Sequence, residues 1–229
     1  MLRNANFILA TARKLVDEVQ SLRPDVIFSP NGVDYGQFCR AARREFSFPP
    51  SDLQKILAKS QPVIGYYGAL ARWFDYDLLR RVALLRPDYQ FVLIGPDYDG
   101  TVELSEILKI NNIHWLGVKP YAELSHYLQY FDVATIPFKI NEITHSTSPL
   151  KLFEYMAGEK PIVITPMQES MQYPGVLIGE DAKQFAQKLD TALKMRDDQT
   201  YLSHLRQIAL ENTWEKRAEE ILIITETKV

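Results

Sequence analysis

Between Pro62 and Gly179 the chain repeats one pattern, a short apolar run rich in β-branched residues followed by a longer amphipathic stretch. The apolar runs fall at 63–67, 91–94, 113–116, 133–136, 162–164 and 176–178. They lack the polar alternation of a strand with one wet face, so each is expected to be covered on both sides. Strands of that kind belong to parallel sheets, and a parallel connection must return through a crossover, usually a helix. Helices are expected over 77–85, over a segment carrying Leu124, Tyr127, Leu128 and Phe131 on one face, and where Phe185, Leu189, Ala192 and Leu193 fall together. The pattern predicts an α/β fold with a doubly wound, Rossmann-like parallel sheet, in which a ligand sits beyond the carboxyl ends of the strands.

With 229 residues and 46% hydrophobic content, the chain can bury one substantial core and part of a second unit. A formal charge of -3 leaves no basic excess for a nucleic-acid backbone, so nucleic acid is excluded as an expected partner. No Lys/Arg run is dense enough for an anionic membrane. The single cysteine, Cys39, allows no internal disulfide and no cysteine cluster, which suits a reducing cytoplasm. Arg3 is not followed by an apolar core of signal-peptide length, and no stretch approaches the roughly 20 apolar residues of a membrane span.

The first segment stands apart. Residues 7–10 read as a strand, 12–22 as a helix and 26–29 as a second strand, a βαβ unit that cannot cover its own apolar faces. Either it joins the later sheet or it ends a domain whose remainder is missing. Its unpaired strand edge is a candidate for self-association. Pro30, Asn31 and Gly32 make a turn, and 40–59 is a polar connector containing Pro49 and Pro50. The expected division is therefore 1–29 as the remnant βαβ end, 30–61 as an interdomain connector, 62–212 as the Rossmann-like domain, and 213–229 as a closing helix.

The stretch HSTSPLKLFEYMAGEKP, residues 145–161, carries the most chemistry. Ser148 is a good N-cap, Pro149 suits the first helical position, Gly158 the C-terminal cap, and Pro161 stops continuation, so a helix is expected over 149–157. Lys151 in the first turn opposes the helix dipole, and an anion nearby would relieve that. Free N–H groups, the hydroxyls of Ser146, Thr147 and Ser148, and Lys151 together make a diphosphate cradle. Glu154, three residues on, can accept hydrogen bonds from two vicinal ribose hydroxyls. A plainer reading stays open at this point: a capped helix whose Lys151 and Glu154 pair on the surface for about 0.2–0.5 kcal/mol.

Here the sequence resembles a known family. Residues 148–155 (SPLKLFEY), followed by Gly158, Glu159, Lys160, Pro161, Ile162 and Val163, look like the donor-site signature of glycosyltransferases with the GT-B fold, group 1 type. Further matches occur in the family's order. Pro30 to Asp34 with Phe38 is similar to the passage between its two domains. Gly65 to Leu70 resembles its glycine-containing loop. Leu116, Gly117 and Val118 with Leu124, Asp132 and Val133 resemble the following β-α-β segment, and Thr213, Trp214 and Arg217 the start of its closing helix.

The resemblance implies the C-terminal, donor-binding half of a GT-B fold, transferring a sugar from a nucleotide-diphosphate sugar, UDP-linked, in bacterial surface polysaccharide or glycoconjugate synthesis, with retention of configuration. It assigns Gly68, Thr147, Ser148, Leu150 and Lys151 to the diphosphate, Glu154 to the ribose, and Gly117, Val118 and Lys119 to the base; Arg72 is added to the diphosphate set from a neighbouring position. No cofactor and no metal are expected. Catalytic residues on the acceptor side, with a glycan or lipid-linked acceptor, would belong to the missing N-terminal domain. The chain alone is therefore expected to bind UDP weakly and to turn over negligibly. Its expected place is the cytoplasm, peripheral at the inner membrane when full length. There are departures: many members carry Arg directly after the loop glycine and Lys five residues later, where Ala69 and Phe74 stand, so Arg72 is assigned the charge. Ser146 occupies the position, eight before Glu154, where members often have Glu, and Glu142 replaces it only if the loop is differently shaped. Rival readings are a sugar-nucleotide epimerase or hydrolase on the same scaffold, and a nucleotide-binding module without catalysis.

Several other features invite chemistry. Asp97, Tyr98 and Asp99 resemble a metal-holding aspartate pair but precede Gly100, where aspartates are ordinary turn formers. His145 adjoins the phosphate cradle and reads as a surface loop histidine; His114, His126 and His204 have no partner legible in sequence. Trp73, Phe74 and Tyr76 are expected to cover the mouth of the sheet, and Trp115 to lie in the core.

Overall fold

A computed structural model describes residues 4–227 apart from the side chains of Ile143, His145 and Thr227, so Arg3 and the His145 imidazole lie outside the described residues. The first unit is β1 (Leu9–Ala10), α1 (Arg13–Gln20) and β2 (Ile27–Phe28). Its two strands pair in parallel with each other and form their own two-stranded sheet. Of the two outcomes open for this unit, it does not join the later sheet.

Two helices follow, α2 (Tyr35–Ala42) and α3 (Gln54–Leu57). The segment read as a connector is built into the molecule: Phe38, Ala41, Leu53 and Ile56 are all buried in the main hydrophobic core. Both helices are short, and the polar, proline-containing stretch between them hid their inner faces in the sequence.

The main sheet has six parallel strands, β3 (Val63–Tyr67), β4 (Gln90–Ile94), β5 (Ile113–Trp115), β6 (Val133–Ile136), β7 (Ile162–Ile164) and β8 (Val176–Ile178). They lie in the order β5-β4-β3-β6-β7-β8, so successive strands build outward from β3 to one edge and then from β6 to the other. Every residue of β3, β4, β6 and β7 is buried, as their unbroken apolar runs require. The order reverses between β3 and β6, where Ile64 pairs with Val133 and Gly65 with Ala134. Such a switch point leaves a crevice beyond the strands' carboxyl ends.

The helices between and after the strands are α4 (Tyr76–Leu85), α5 (Thr101–Leu104), α6 (Leu124–Gln129), α7 (Glu142–His145), α8 (Leu150–Ala157), α9 (Gln168–Met171), α10 (Ala182–Met195), α11 (Gln199–Glu211) and α12 (Trp214–Thr227). Contacts sort them into two layers: α10 packs on α4, β7 and β8, while α2 bridges α6 and α8, and α11 packs on α8. The chain passes between the first unit and the sheet domain at a single place. Val33 lies beside Thr213 as a parallel bridge, with Val33 N–H donating to Asn212 and Trp214 N–H to Val33.

One local expectation is corrected and one holds for a different physical reason. Trp115 is 37% exposed rather than core, because β5 is the sheet edge, although its indole N–H donates to the Gly95 carbonyl at 2.9 Å. Gly158 does occupy the C-cap of α8, but with φ -79; the left-handed residue is Glu159, φ 52. Glycine is required for closeness instead, since a Cβ at 158 would meet Leu128 Cδ2 at 2.4 Å.

Candidate functional site

At the switch point the strand ends are shaped by two glycines. Gly68 (φ +136) follows β3 and Gly95 (φ +137) follows β4, a conformation that side-chain-bearing residues rarely adopt. A Cβ on Gly95 would lie 2.0 Å from the Gly68 carbonyl oxygen, and a Cβ on Gly68 would lie 2.7 Å from Cε of Lys151. The bare backbone of Gly68 is what lets the Lys151 side chain lie against the end of β3.

Lys151 is half-buried, with Nζ 5.1 Å from the centre of the Phe138 ring and 5.6 Å from that of Tyr66. Among the described residues it has no ion pair and no hydrogen bond. Burial lowers its pKa to about 8, with the charge of Glu154 pulling the other way. The two ring faces offset part of the desolvation of its ammonium. Beside it opens a cavity of about 310 Å³ lined by Tyr66, Ala69, Trp73, Phe138, Thr144, Thr147 and Lys151.

The N-terminus of α8 faces the same place. Ser148 is not the N-cap: Pro149 takes that position, in extended conformation and with no side-chain cap. By contrast α2, α4, α10 and α11 are capped by the carboxylates of Asp34, Asp75, Asp181 and Asp198. The Leu150 and Lys151 N–H groups have no acceptor among the described residues, so the positive end of α8 is left open. Just before it, Asn31 Nδ2 donates to the Ser148 carbonyl at 2.6 Å, Ser146 Oγ to the Glu142 carbonyl at 3.2 Å, and Thr147 N–H to the Thr144 carbonyl at 3.2 Å.

One turn further along, Glu154 is 2% exposed and forms no salt bridge with Lys151 within 4.0 Å, which removes the plain surface-pair reading. Its Oε1 accepts from the Tyr121 hydroxyl at 3.1 Å. The Tyr67 hydroxyl lies near enough to act on the carboxylate's protonation, yet it is buried without a well-formed hydrogen bond among the described residues. Burial raises the Glu154 pKa; the Tyr121 and Tyr67 hydroxyls and the Lys151 charge oppose it.

The remaining expected residues are distributed as follows. Gly117 (φ +69) closes β5, with its carbonyl accepting from Gly95 N–H at 2.8 Å, and Val118 is exposed. Lys119 pairs with Asp52 at 2.6 Å, and Tyr127 donates to the same carboxylate at 3.0 Å, so the Lys119 charge is matched by a residue of the 30–61 segment. Arg72 is exposed, and its main-chain N–H donates to Asp99 at 3.0 Å. Asp97 and Asp99 act as turn formers, accepting from Val102 N–H at 3.3 Å and from the Thr101 hydroxyl at 2.6 Å. Phe74 and Tyr76 are buried and Trp73 partly so. His114 meets Gln90 Oε1 at 2.7 Å, and His126 the Phe48 carbonyl at 2.6 Å. Sequence reasoning missed Asn31, Tyr67 and Tyr121. The place of Tyr67 directly before the loop glycine was a usable signal; nothing near Tyr121 announced its contact.

The fold and crevice define the class: a doubly wound Rossmann-like domain of the kind that forms one half of the GT-B fold. The sequence model of the family described as "Glycosyl transferases group 1" matches residues 61–195, and the chain belongs to that family. Among curated proteins it is 30% identical over 201 residues to the putative teichuronic acid biosynthesis glycosyltransferase TuaH of Bacillus subtilis, covering 85% of this chain and 49% of the relative. The chain thus spans about half the length of that relative. Among solved structures it is similar to a glycosyltransferase from Rickettsia africae (TM-score 0.77, 14% identity, 97% of this chain and 63% of that one). It is also similar to HepE of Anabaena, solved with UDP and glucose (TM-score 0.73, 15% identity, 99% and 64%).

Proposed function

We propose that this chain is the donor-binding half of a glycosyltransferase that takes a sugar from a UDP-linked donor and adds it to a bacterial surface polysaccharide or glycoconjugate. The observation that carries this reading is the convergence of Lys151, the uncapped α8 N-terminus and buried Glu154 on one switch-point crevice. The relative named for teichuronic acid synthesis and the neighbour solved with UDP and glucose support the acceptor and donor classes. In this reading Lys151, the Leu150 and Lys151 N–H groups, Thr147, Ser148 and the main chain at Gly68 hold the diphosphate, and Arg72 adds charge from the rim. Glu154 takes the ribose hydroxyls. The base lies along the main chain of 117–119, with exposed Val118 against its face.

During transfer the bond between the anomeric carbon and the diphosphate oxygen breaks, and negative charge grows on the departing UDP. The α8 dipole and Lys151 meet that charge where it develops, without a metal. Retention of configuration, and acceptor residues from an N-terminal domain of which β1, α1 and β2 are the last part, complete the proposal.

The test is titration of UDP into the chain and into Glu154→Ala. Wild-type binding with at least roughly tenfold loss in the variant is the expected result; equal affinity removes Glu154 from the ribose. Product analysis on the longer protein, with and without acceptor, separates transfer from epimerisation or hydrolysis, and chelator-resistant turnover is expected.

A further inference from the structure

Glu154 cannot be reached as it stands. It is 2% exposed, and the group in contact with its carboxylate on the outer side is the hydroxyl of Tyr121, which is 47% exposed. We infer that Tyr121 is a gate on the nucleotide site: its hydroxyl holds the place of a ribose hydroxyl on Glu154, and the nucleotide must displace it to bind. The inference rests on the assignment of Glu154 to the ribose.

Three observations carry it. First, the Tyr121 hydroxyl is the ordered donor on Glu154, at 3.1 Å, while buried Tyr67 Oη beside the same carboxylate has no well-formed partner. An arriving vicinal diol can replace the Tyr121 donor and also offers Tyr67 an acceptor. Second, Tyr121 sits on a short turn (Tyr121–Glu123) at the end of a loop that starts at Gly117. Apart from its chain neighbours, nothing among the described residues lies within 4 Å of where a Gly117 side chain would begin, so the loop is open at its start, and the Lys119–Asp52 pair anchors it before Tyr121. Third, the Tyr121 ring rests edge-on against Phe38, at 5.5 Å and 74°, so apart from its hydroxyl the ring is held there by apolar contact that no further hydrogen bond among the described residues locks in place.

The arrangement also selects. A buried carboxylate stripped of its donor is costly, and a ligand that pushes Tyr121 aside must give a donor back. Ribose hydroxyls do so; a sugar lacking them leaves Glu154 unpaired. Tyr121 is thus a specificity-determining residue for nucleotides that carry a vicinal diol.

The test uses the whole chain, UDP as probe, and the variants Tyr121→Phe, Glu154→Ala and the double variant. Tyr121→Phe is expected to bind UDP roughly fivefold or more tightly than wild type, with a faster association rate, because no hydrogen bond has to be broken first. The gain must vanish in the Glu154→Ala background, a coupling that a merely structural tyrosine would not show. If Glu154→Ala weakens UDP but Tyr121→Phe leaves it unchanged or weaker, the gate falls while the donor site stands. If Glu154→Ala binds UDP as wild type does, or wild type binds none, the ribose assignment falls and the gate with it.

Discussion

Lys151 concentrates the electrostatic problem of this site in one side chain. Half-buried and without a counter-ion in contact, its ammonium titrates at about 8, below the ordinary lysine range. A bound diphosphate favours the charged form, so UDP affinity should be full below that value and fall as pH rises through it. Isothermal titration between about pH 7 and 9.5 reads this; a flat profile would show that the ammonium is not the phosphate ligand. Lys151→Arg should flatten the profile, and Lys151→Met should both flatten it and weaken UDP roughly ten- to hundredfold. Gly158 poses a steric problem instead. With Leu128 Cδ2 2.4 Å from an added methyl, Gly158→Ala should cost about 1–3 kcal/mol in urea unfolding. The sequence made Gly158 visible as a helix terminator, whereas the Leu128 contact comes from another helix and left no local trace. The same is true of Lys119: the family resemblance assigns it to the base, and its ion pair with Asp52, remote in sequence, left no local trace.

Helix α8 begins without a side-chain cap, as α1 does, but at α8 the open end lies beside Lys151 and the cavity at the switch point. Asp181 closes α10 by accepting from Gln184 N–H at 2.8 Å, and Asp181→Ala should lower stability by about 1 kcal/mol with UDP affinity unchanged. Measured by thermal midpoint beside a UDP titration, that variant separates an ordinary cap from the open end of α8. Legibility followed burial. Strands β3, β6 and β7 match the apolar runs residue for residue, because a strand covered on both faces announces itself in composition alone; partly buried β8 matches as well, and buried β4 begins one residue earlier, at polar Gln90. β5 was read one residue too long and its Trp115 placed inside, since a run cannot say that its strand lies at the edge. The helices of 30–61 were missed because only Phe38, Ala41, Leu53 and Ile56 mark their inner side. In α8 itself the start moved from Pro149 to Leu150, which turned an expected hydroxyl cap into an uncapped turn.

For the whole molecule, two opposing sets of buried groups shape stability against pH. Burial lowers Lys151 and Lys160 to about 8, so between there and the unfolded value near 10.4 the unfolded chain binds more protons and stability rises with pH. Burial raises Tyr66, Tyr67 and Tyr155, so above about 10 the unfolded chain loses phenolic protons that the folded one keeps, and stability falls. Urea midpoints should therefore peak at about pH 9 to 10; a steady decline from pH 7 would contradict the burial of both lysines. That β1 and β2 stand apart from the main sheet was partly visible at this scale, because the repeated strand-helix pattern begins only at residue 62, but the return of the chain beside Val33 was not. That return has a mechanical meaning. The outgoing and incoming strands pass through one doorway, tied by Val33 to Asn212 and Trp214, and beyond it the first unit and α12 flank one cavity, with Arg13 and Phe28 on one side and Arg217 and Ile224 on the other. Arg13 and the Lys14 N–H of α1 also reach Gln172 at 3.1 Å and Glu169 at 3.3 Å, so the first unit is anchored to the sheet domain as well as to α12, and a load on it is shared between the two.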